Sequence, residues 1–431
     1  MKILLIEDTA DGLLDLAMIA KRQGHSERYY CRAYNPVKAP VGRGLVERVP
    51  DWRSSMRWCD LCVVGGNGKW MVELDRWRAE GVPIIGGCAE AAAWELDRLA
   101  GMAAFKRAGI PVPPFRQCAT LKDAMEYVEK RGEGCAVKPC GDIGDKSTSV
   151  VGKNPDTILW RLGRWQKEGK SFPGGLMVQD RIDGVEFAVG AWIGPDGFAP
   201  GWEENFEEKR LFAGSVGPAT GEQGTTLRLV RSSKLAENVL KPLEDRLVGM
   251  GYVGNVDVNS IVDEDGTPWP LEWTMRLGWP AFMIECALHA DPVEWLAGLA
   301  HGKPPNTRKM NEVAVGVVMS LPPYPHGHER TEEVVGVPIW GITPAIEDRV
   351  HFAQAMADRG QLATAGSYVT ICTGTGETVQ QARAAAYRVV DRVEMPITPQ
   401  YRIDIGQRLS RQLEKLQAHG FARGMSYSEH A

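Results

Sequence analysis

No apolar run in this 431-residue chain reaches the roughly 20 residues that cross a bilayer. The opening Met1–Ile6 stretch is shorter than a signal-peptide core and runs straight into Glu7 and Asp8, so a cytoplasmic protein is expected. An excess of one charge is lacking too: 50 Lys and Arg against 55 Asp and Glu leave a formal charge of −5. Such a balance does not attract nucleic acid or anionic membrane by bulk charge. The nine cysteines are odd in number and scattered, which excludes a disulfide scaffold and fits a reducing compartment. Cys59 and Cys62 form a C-x-x-C with no second pair. They abut the strand-like run Leu61–Val64, so buried thiols are the better reading than a metal or redox centre. There is no internal repeat and no low-complexity segment.

What is present is an ordinary globular composition, 44% apolar and 24% charged. At about 150 residues per domain the length implies roughly three domains. Residues 2–6 read as a buried parallel strand and Leu13–Arg22 as a helix closed by Gly24. The alternation repeats at Leu61–Val64, Met71–Arg78 and Val82–Ile85, giving a doubly wound unit. A helix is expected from Ala91 to Ala108, stopped at Gly109-Ile110-Pro111. Strand-like runs then follow at Cys135–Lys138, Leu176–Gln179, Glu186–Ile193, Gly254–Val262 and Trp269–Glu272. A last unit opens at Val313, with a strand at Ser367–Cys372 and a helix at Val379–Val393.

Two glycine-rich segments fail as familiar phosphate motifs. Gly65-Gly66-Asn67-Gly68 lacks the full G-x-G-x-x-G of a dinucleotide site, which counts against an oxidoreductase. Gly141-Asp142-Ile143-Gly144-Asp145-Lys146-Ser147 lacks the Gly directly before Lys that a P-loop needs. It remains a loop with one cation, suited to closing over phosphates. Glu272 lies between Leu271 and Trp273, where an unpaired carboxylate would be costly, so a ligand role suits it.

The stronger signal is an order of segments: Arg98 before Gly109-Ile110-Pro111, then Lys138 and the glycine loop, then Gln179–Glu186, then Asp257-Val258-Asn259, then Leu271–Arg276. This order resembles the ATP-grasp superfamily. The resemblance implies that Arg98 and Lys138 meet nucleotide phosphates, with an arginine where the superfamily has a lysine. It places Gln179, Asp180, Arg181 and Ile182 at the adenine and Glu186 at the ribose. Asp257, Glu272 and Thr274 would hold Mg²⁺ (or Mn²⁺) beside the ATP. Within the superfamily the chain is similar to the phosphoribosylamine–glycine ligases. The similarity rests on Glu208-Lys209-Arg210, Gly217–Gly224, Gly374–Thr378 and Tyr401-Arg402-Ile403-Asp404-Ile405-Gly406-Gln407-Arg408.

That family implies a Rossmann-like domain over 1–97, an ATP-grasp core over 98–312 with a mobile lid near 116–180, and a small α+β domain over 313–431: an α/β and α+β multidomain fold. It implies an ADP-forming ligase that activates an amino acid carboxylate as an acyl phosphate and joins it to an amine. Lys138, Lys146, Arg276, Lys209 and Arg210 would be catalytic. Gly217, Pro218, Thr220 and Gly221 would embrace the amino acid. The partners would be small molecules, and the protein a monomer or dimer.

The chain departs from the family pattern in one region. The family's G-x-G-G-R-E-H after the first strand reads Glu7-Asp8-Thr9-Ala10-Asp11-Gly12 here, and G-G-R-V reads Gly366-Ser367-Tyr368-Val369. Likewise R-F-G-D-P-E reads Arg276-Leu277-Gly278-Trp279-Pro280-Ala281, and Thr274 replaces the Asn of E-x-N. Carboxylates such as Asp8 and Asp11 at a helix start repel a phosphate dianion. The expected amine is therefore not phosphoribosylamine. The alternatives are a true phosphoribosylamine–glycine ligase of purine biosynthesis and a non-catalytic nucleotide-binding relative.

Overall fold

A computed structural model describes residues 1–8, 12–32, 41–141, 148–326 and 333–429. Asp11 and Lys146, both expected at the site, lie outside the described residues. The first unit is a parallel sheet of β1 (Lys2–Glu7), β2 (Ser26–Cys31), β3 (Leu61–Val64) and β4 (Ile84–Ile85), in the order β2-β1-β3-β4. Ile3, Leu4, Leu5 and Ile6 are all buried, as a strand covered on both faces requires. Helix α1 (Leu13–Arg22) follows β1, and α2 (Met71–Ala79) follows β3.

The helix expected over 91–108 is two helices, α3 (Ala89–Leu96) and α4 (Arg98–Arg107). Asp97 adopts an extended conformation between them and its carboxylate accepts from the Leu99 and Ala100 amides. Backbone capping by a short acidic side chain outweighs continued helix there, and Arg98 becomes the first residue of a new helix.

Strands β5 (Phe115–Cys118), β6 (Cys135–Pro139), β7 (Val150–Gly152) and β8 (Leu176–Asp180) form an antiparallel sheet ordered β5-β8-β6-β7. Helices α5 (Leu121–Arg131) and α6 (Pro155–Lys167) complete the unit. Its core, including Val128, Ile158, Leu162, Trp165 and Val178, is separate from the main core.

The third sheet has eight strands. To β9 (Val185–Gly194) and β10 (Gly197–Glu207) it adds, beyond the hairpin β11 (Arg210–Phe212) and β12 (Val216–Ala219), β13 (Gly224–Val230), β14 (Gly254–Val262) and β15 (Pro268–Thr274). It then takes β16 (Val313–Ser320), β17 (Val350–Phe352) and, past the hairpin β18 (Ala355–Asp358) and β19 (Gln361–Thr364), β20 (Tyr368–Gly376). The order is β15-β14-β9-β10-β13-β16-β20-β17, antiparallel throughout. Because β13 pairs with β16, hydrogen bonding runs unbroken past residue 313. All nine cysteines are free, and Cys62 is buried in β3 with its thiol pushed well up by burial. No helix among the described residues is long and apolar enough to cross a membrane.

Candidate active site

Register builds the floor of the site. Asp257 and Asn259 of β14 lie opposite Thr274 and Glu272 of β15, and opposite Gly190 and Ala188 of β9. Those two small residues lie in turn opposite Glu203 and Asn205 of β10. Alternate residues of a strand share a face, so four strands present one polar face. A Cβ at Gly190 would stand 3.2 Å from Asp257 Oδ2 and 3.4 Å from Glu203 Cβ, so glycine leaves room for the acids on either side. Above this face opens a cleft of about 680 Å³, lined also by Asp8, Arg98, Lys138, Lys209 and Trp279.

Lys209 is the centre of charge. Its Nζ lies 3.0 Å from Glu186 Oε1, 3.0 Å from Glu207 Oε2 and 3.2 Å from Glu272 Oε1. Burial works to lower the Lys209 pKa, but Glu186, Glu207 and Glu272 outweigh it and hold the ammonium well above its ordinary value. Burial likewise pushes the Glu186 carboxyl up, and Lys209 with Arg408 brings it below its usual range. Arg98 approaches the same cluster, its Nη1 3.7 Å from Glu272 Oε2, while its Nε donates to the Pro139 carbonyl. Lys138, at the end of β6, is lowered to about 8 by burial and by the neighbouring Arg98 charge.

The cleft also holds acceptors without donors. Glu222 Oε1, Asn205 Oδ1 and Asn259 Oδ1 are buried with no hydrogen-bond partner among the described residues. Burial and Glu207 raise Asp257 to about 7, although Asn205 donates to it at 2.7 Å. Among the described residues no three His, Cys, Asp or Glu side chains form a group able to hold a metal alone. Two carboxylates, Asp257 and Glu272, with unpartnered amide oxygens nearby, fit an ion that completes its shell with phosphate oxygens and water, as Mg²⁺ does.

The expected residues divide into those brought together and those not. Arg98, Lys138, Lys209, Thr220, Gly221, Asp257, Glu272, Thr274, Arg276 and Asp8 line the cleft. Glu186 joins it through Lys209. Arg276 is held by Glu95 at 3.1 Å, and Glu95 also accepts from Asn67 and from the Met275 amide. Gln179, Asp180, Arg181 and Ile182 do not line the cleft. Gln179 is buried with an unpartnered Nε2, Asp180 pairs with Arg131 at 2.6 Å, Arg181 pairs with Asp183, and Ile182 is half-buried. Arg210, Gly217 and Pro218 lie on the β11–β12 hairpin, where the exposed Arg210 donates to the Gly217 carbonyl.

The C-terminal motif acts on the site from behind. Arg402, fully buried, bonds Glu208 at 3.2 Å and Asp404 at 2.8 Å, and donates to the Arg210 carbonyl. Arg408 donates to Glu208 and to the carbonyls of Glu186 and Glu207. Between them these arginines clamp the chain on both sides of Lys209.

The start of α1 is closed in an unexpected way. The buried Glu7 carboxylate accepts from the Gly12 and Leu13 amides at 2.5 and 2.8 Å through Oε1, and from the Tyr29 hydroxyl at 2.5 Å through Oε2. Asp8 pairs with Arg32. The Trp279 ring lies against this turn, 3.3 Å from where a Gly12 Cβ would be, and 5.3 Å from the Tyr368 ring. Trp279 and Tyr368, two separate departures in sequence, thus meet in space.

Known proteins share sequence and fold with this chain. Residues 314–408 match the family described as phosphoribosylglycinamide synthetase, C domain. The phosphoribosylamine–glycine ligase of Ralstonia nicotianae is 27% identical over 352 residues, 78% of this chain and 81% of that protein. The chain is thus similar to the phosphoribosylamine–glycine ligases over most of its length. The crystal structure of the Thermotoga maritima phosphoribosylamine–glycine ligase shares the fold with a TM-score of 0.73 at 21% identity, over 94% of this chain and all of that one. So does a biotin carboxylase from Campylobacter jejuni solved as a β,γ-ATP complex, with a TM-score of 0.63 at 12% identity over 98% of this chain and 95% of that one. The ATP-grasp fold expected from the order of segments is therefore the fold observed.

Proposed function

We propose that this ATP-grasp ligase activates glycine or another small amino acid and passes it to an amine other than phosphoribosylamine. A carboxylate oxygen attacks the γ-phosphorus of ATP, the bond to the bridging oxygen breaks, and ADP leaves. The amine nitrogen then attacks the acyl carbon. Phosphate departs with the C–O electron pair and takes the nitrogen's proton. Lys138 and Arg98 supply positive charge to the polyphosphate. A divalent ion would be held by Asp257 and Glu272, with Thr274 at the edge, and would supply positive charge against the phosphates. The unit around β5–β8, with its own core, closes over the cleft and keeps water from the acyl phosphate.

One observation supports the change of amine. A helix N-terminus binds phosphate through free amides. At α1 the Gly12 and Leu13 amides are already bonded to Glu7. A phosphate monoester brought there would meet a carboxylate in place of a donor.

The test is ADP release from ATP and Mg²⁺ with glycine, with and without phosphoribosylamine generated in place. Glycine-dependent release that phosphoribosylamine leaves unchanged is the expected result. Release requiring both substrates would establish the family reaction and overturn the change of amine.

A further inference from the structure

The cleft is chemically divided. Arg98, Lys138 and Lys209 gather around Glu272, the end suited to nucleotide phosphates. At the α1 end the acid Asp8 is matched by Arg32, and Glu7 is spent on backbone amides. Leu13, Leu277, Trp279, Ala281 and Phe282 line the cleft, and the Arg276 charge beside Leu277 is matched by Glu95. The half-buried Trp279 ring is fixed from behind by Tyr368, whose ring is itself 5.4 Å from Tyr324. A ring braced in this way offers its remaining surface to a flat partner at little entropic cost.

Resting on the ligase reading above, we infer that the acceptor is an unphosphorylated primary amine carrying a flat, apolar body that stacks on Trp279. The amine nitrogen forms the amide as described, and the flat body fills the α1 end. Shape and dispersion on the Trp279 ring then select the substrate.

The experiment has two readouts. Hydroxylamine, too small to use the α1 end, traps any acyl phosphate as a hydroxamate and so reports carboxylate activation alone. Amine-dependent amide formation is then compared for phenethylamine, propylamine, phosphoethanolamine and phosphoribosylamine. Phenethylamine is expected to exceed propylamine in kcat/KM by about tenfold, and phosphoethanolamine to be no better than propylamine. Trp279→Ala should lower kcat/KM for phenethylamine by about tenfold more than it lowers hydroxamate formation, and Trp279→Phe should restore most of the difference. If hydroxylamine yields hydroxamate while propylamine matches phenethylamine in amide formation, or while either phosphorylated amine is preferred, the inference is overturned and ATP-dependent carboxylate activation still stands. No hydroxamate with any small amino acid overturns the ligase reading and the inference together.

Discussion

The ammonium of Lys209 stands 3.2 Å from Glu272 Oε1, joining the end of β10 to β15 across the two strands that lie between them. With Glu186 and Glu207 also at 3.0 Å, one side chain compensates three carboxylates in the cleft proposed to receive the nucleotide. A nucleotide and metal bound as proposed would rearrange an existing charge cluster.

Replacing Lys209 by Met leaves those carboxylates facing one another. ADP release should fall by about 100-fold or more. The partly exposed site limits the stability loss to about 1–2 kcal/mol. Mg²⁺ alone should raise the melting temperature of Lys209→Met more than that of the parent, because the ion takes over the missing charge. Differential scanning calorimetry with and without Mg²⁺ reads this directly.

Lys138 gives a pH signature. Burial beside Arg98 lowers its pKa to about 8, so the cation proposed to bind phosphate is lost as pH rises through that value. Between pH 7 and 9 the charged fraction falls by about tenfold, and the Kd for ATP should rise by up to that factor. Phosphate binding favours the charged form, so ATP binding near pH 8.5 (about half a unit above the Lys138 pKa) should take up protons. Titration calorimetry in buffers of different ionisation enthalpy measures both effects, and Lys138→Arg should flatten the profile.

Arg402 tests the clamp behind the site. Its guanidinium is buried among Glu208, Asp404 and the Arg210 carbonyl. Arg402→Ala should cost about 3–5 kcal/mol, seen as a lower urea midpoint, since it strands buried carboxylates. Arg402→Lys should recover only part of the loss, because a point charge cannot reproduce the forked contact with Asp404.

Sequence pattern made most of the first unit readable because buried parallel strands are continuous apolar runs, and Leu13–Arg22 has the bounds expected of it. It hid β10, where Glu203, Asn205 and Glu207 give a strand whose inward face is polar for the sake of the site. The alternation was there, but with acids in the place of apolar residues. Asn259 could have been found two residues after Asp257 on the same face. The role of Glu7 was not legible: a carboxylate at a helix start reads the same whether it faces solvent or bonds its own helix. Only the buried Tyr29 hydroxyl on its other oxygen distinguishes the two.

The pairing of β13 with β16 has a practical consequence. A chain cut after residue 312 would leave β13 with a bare edge of unpaired amides and carbonyls, a template for strand addition between copies. The nucleotide-binding portion is thus not separable by simple truncation. Fragments ending there should aggregate, and complementation by two co-expressed halves would require strand exchange.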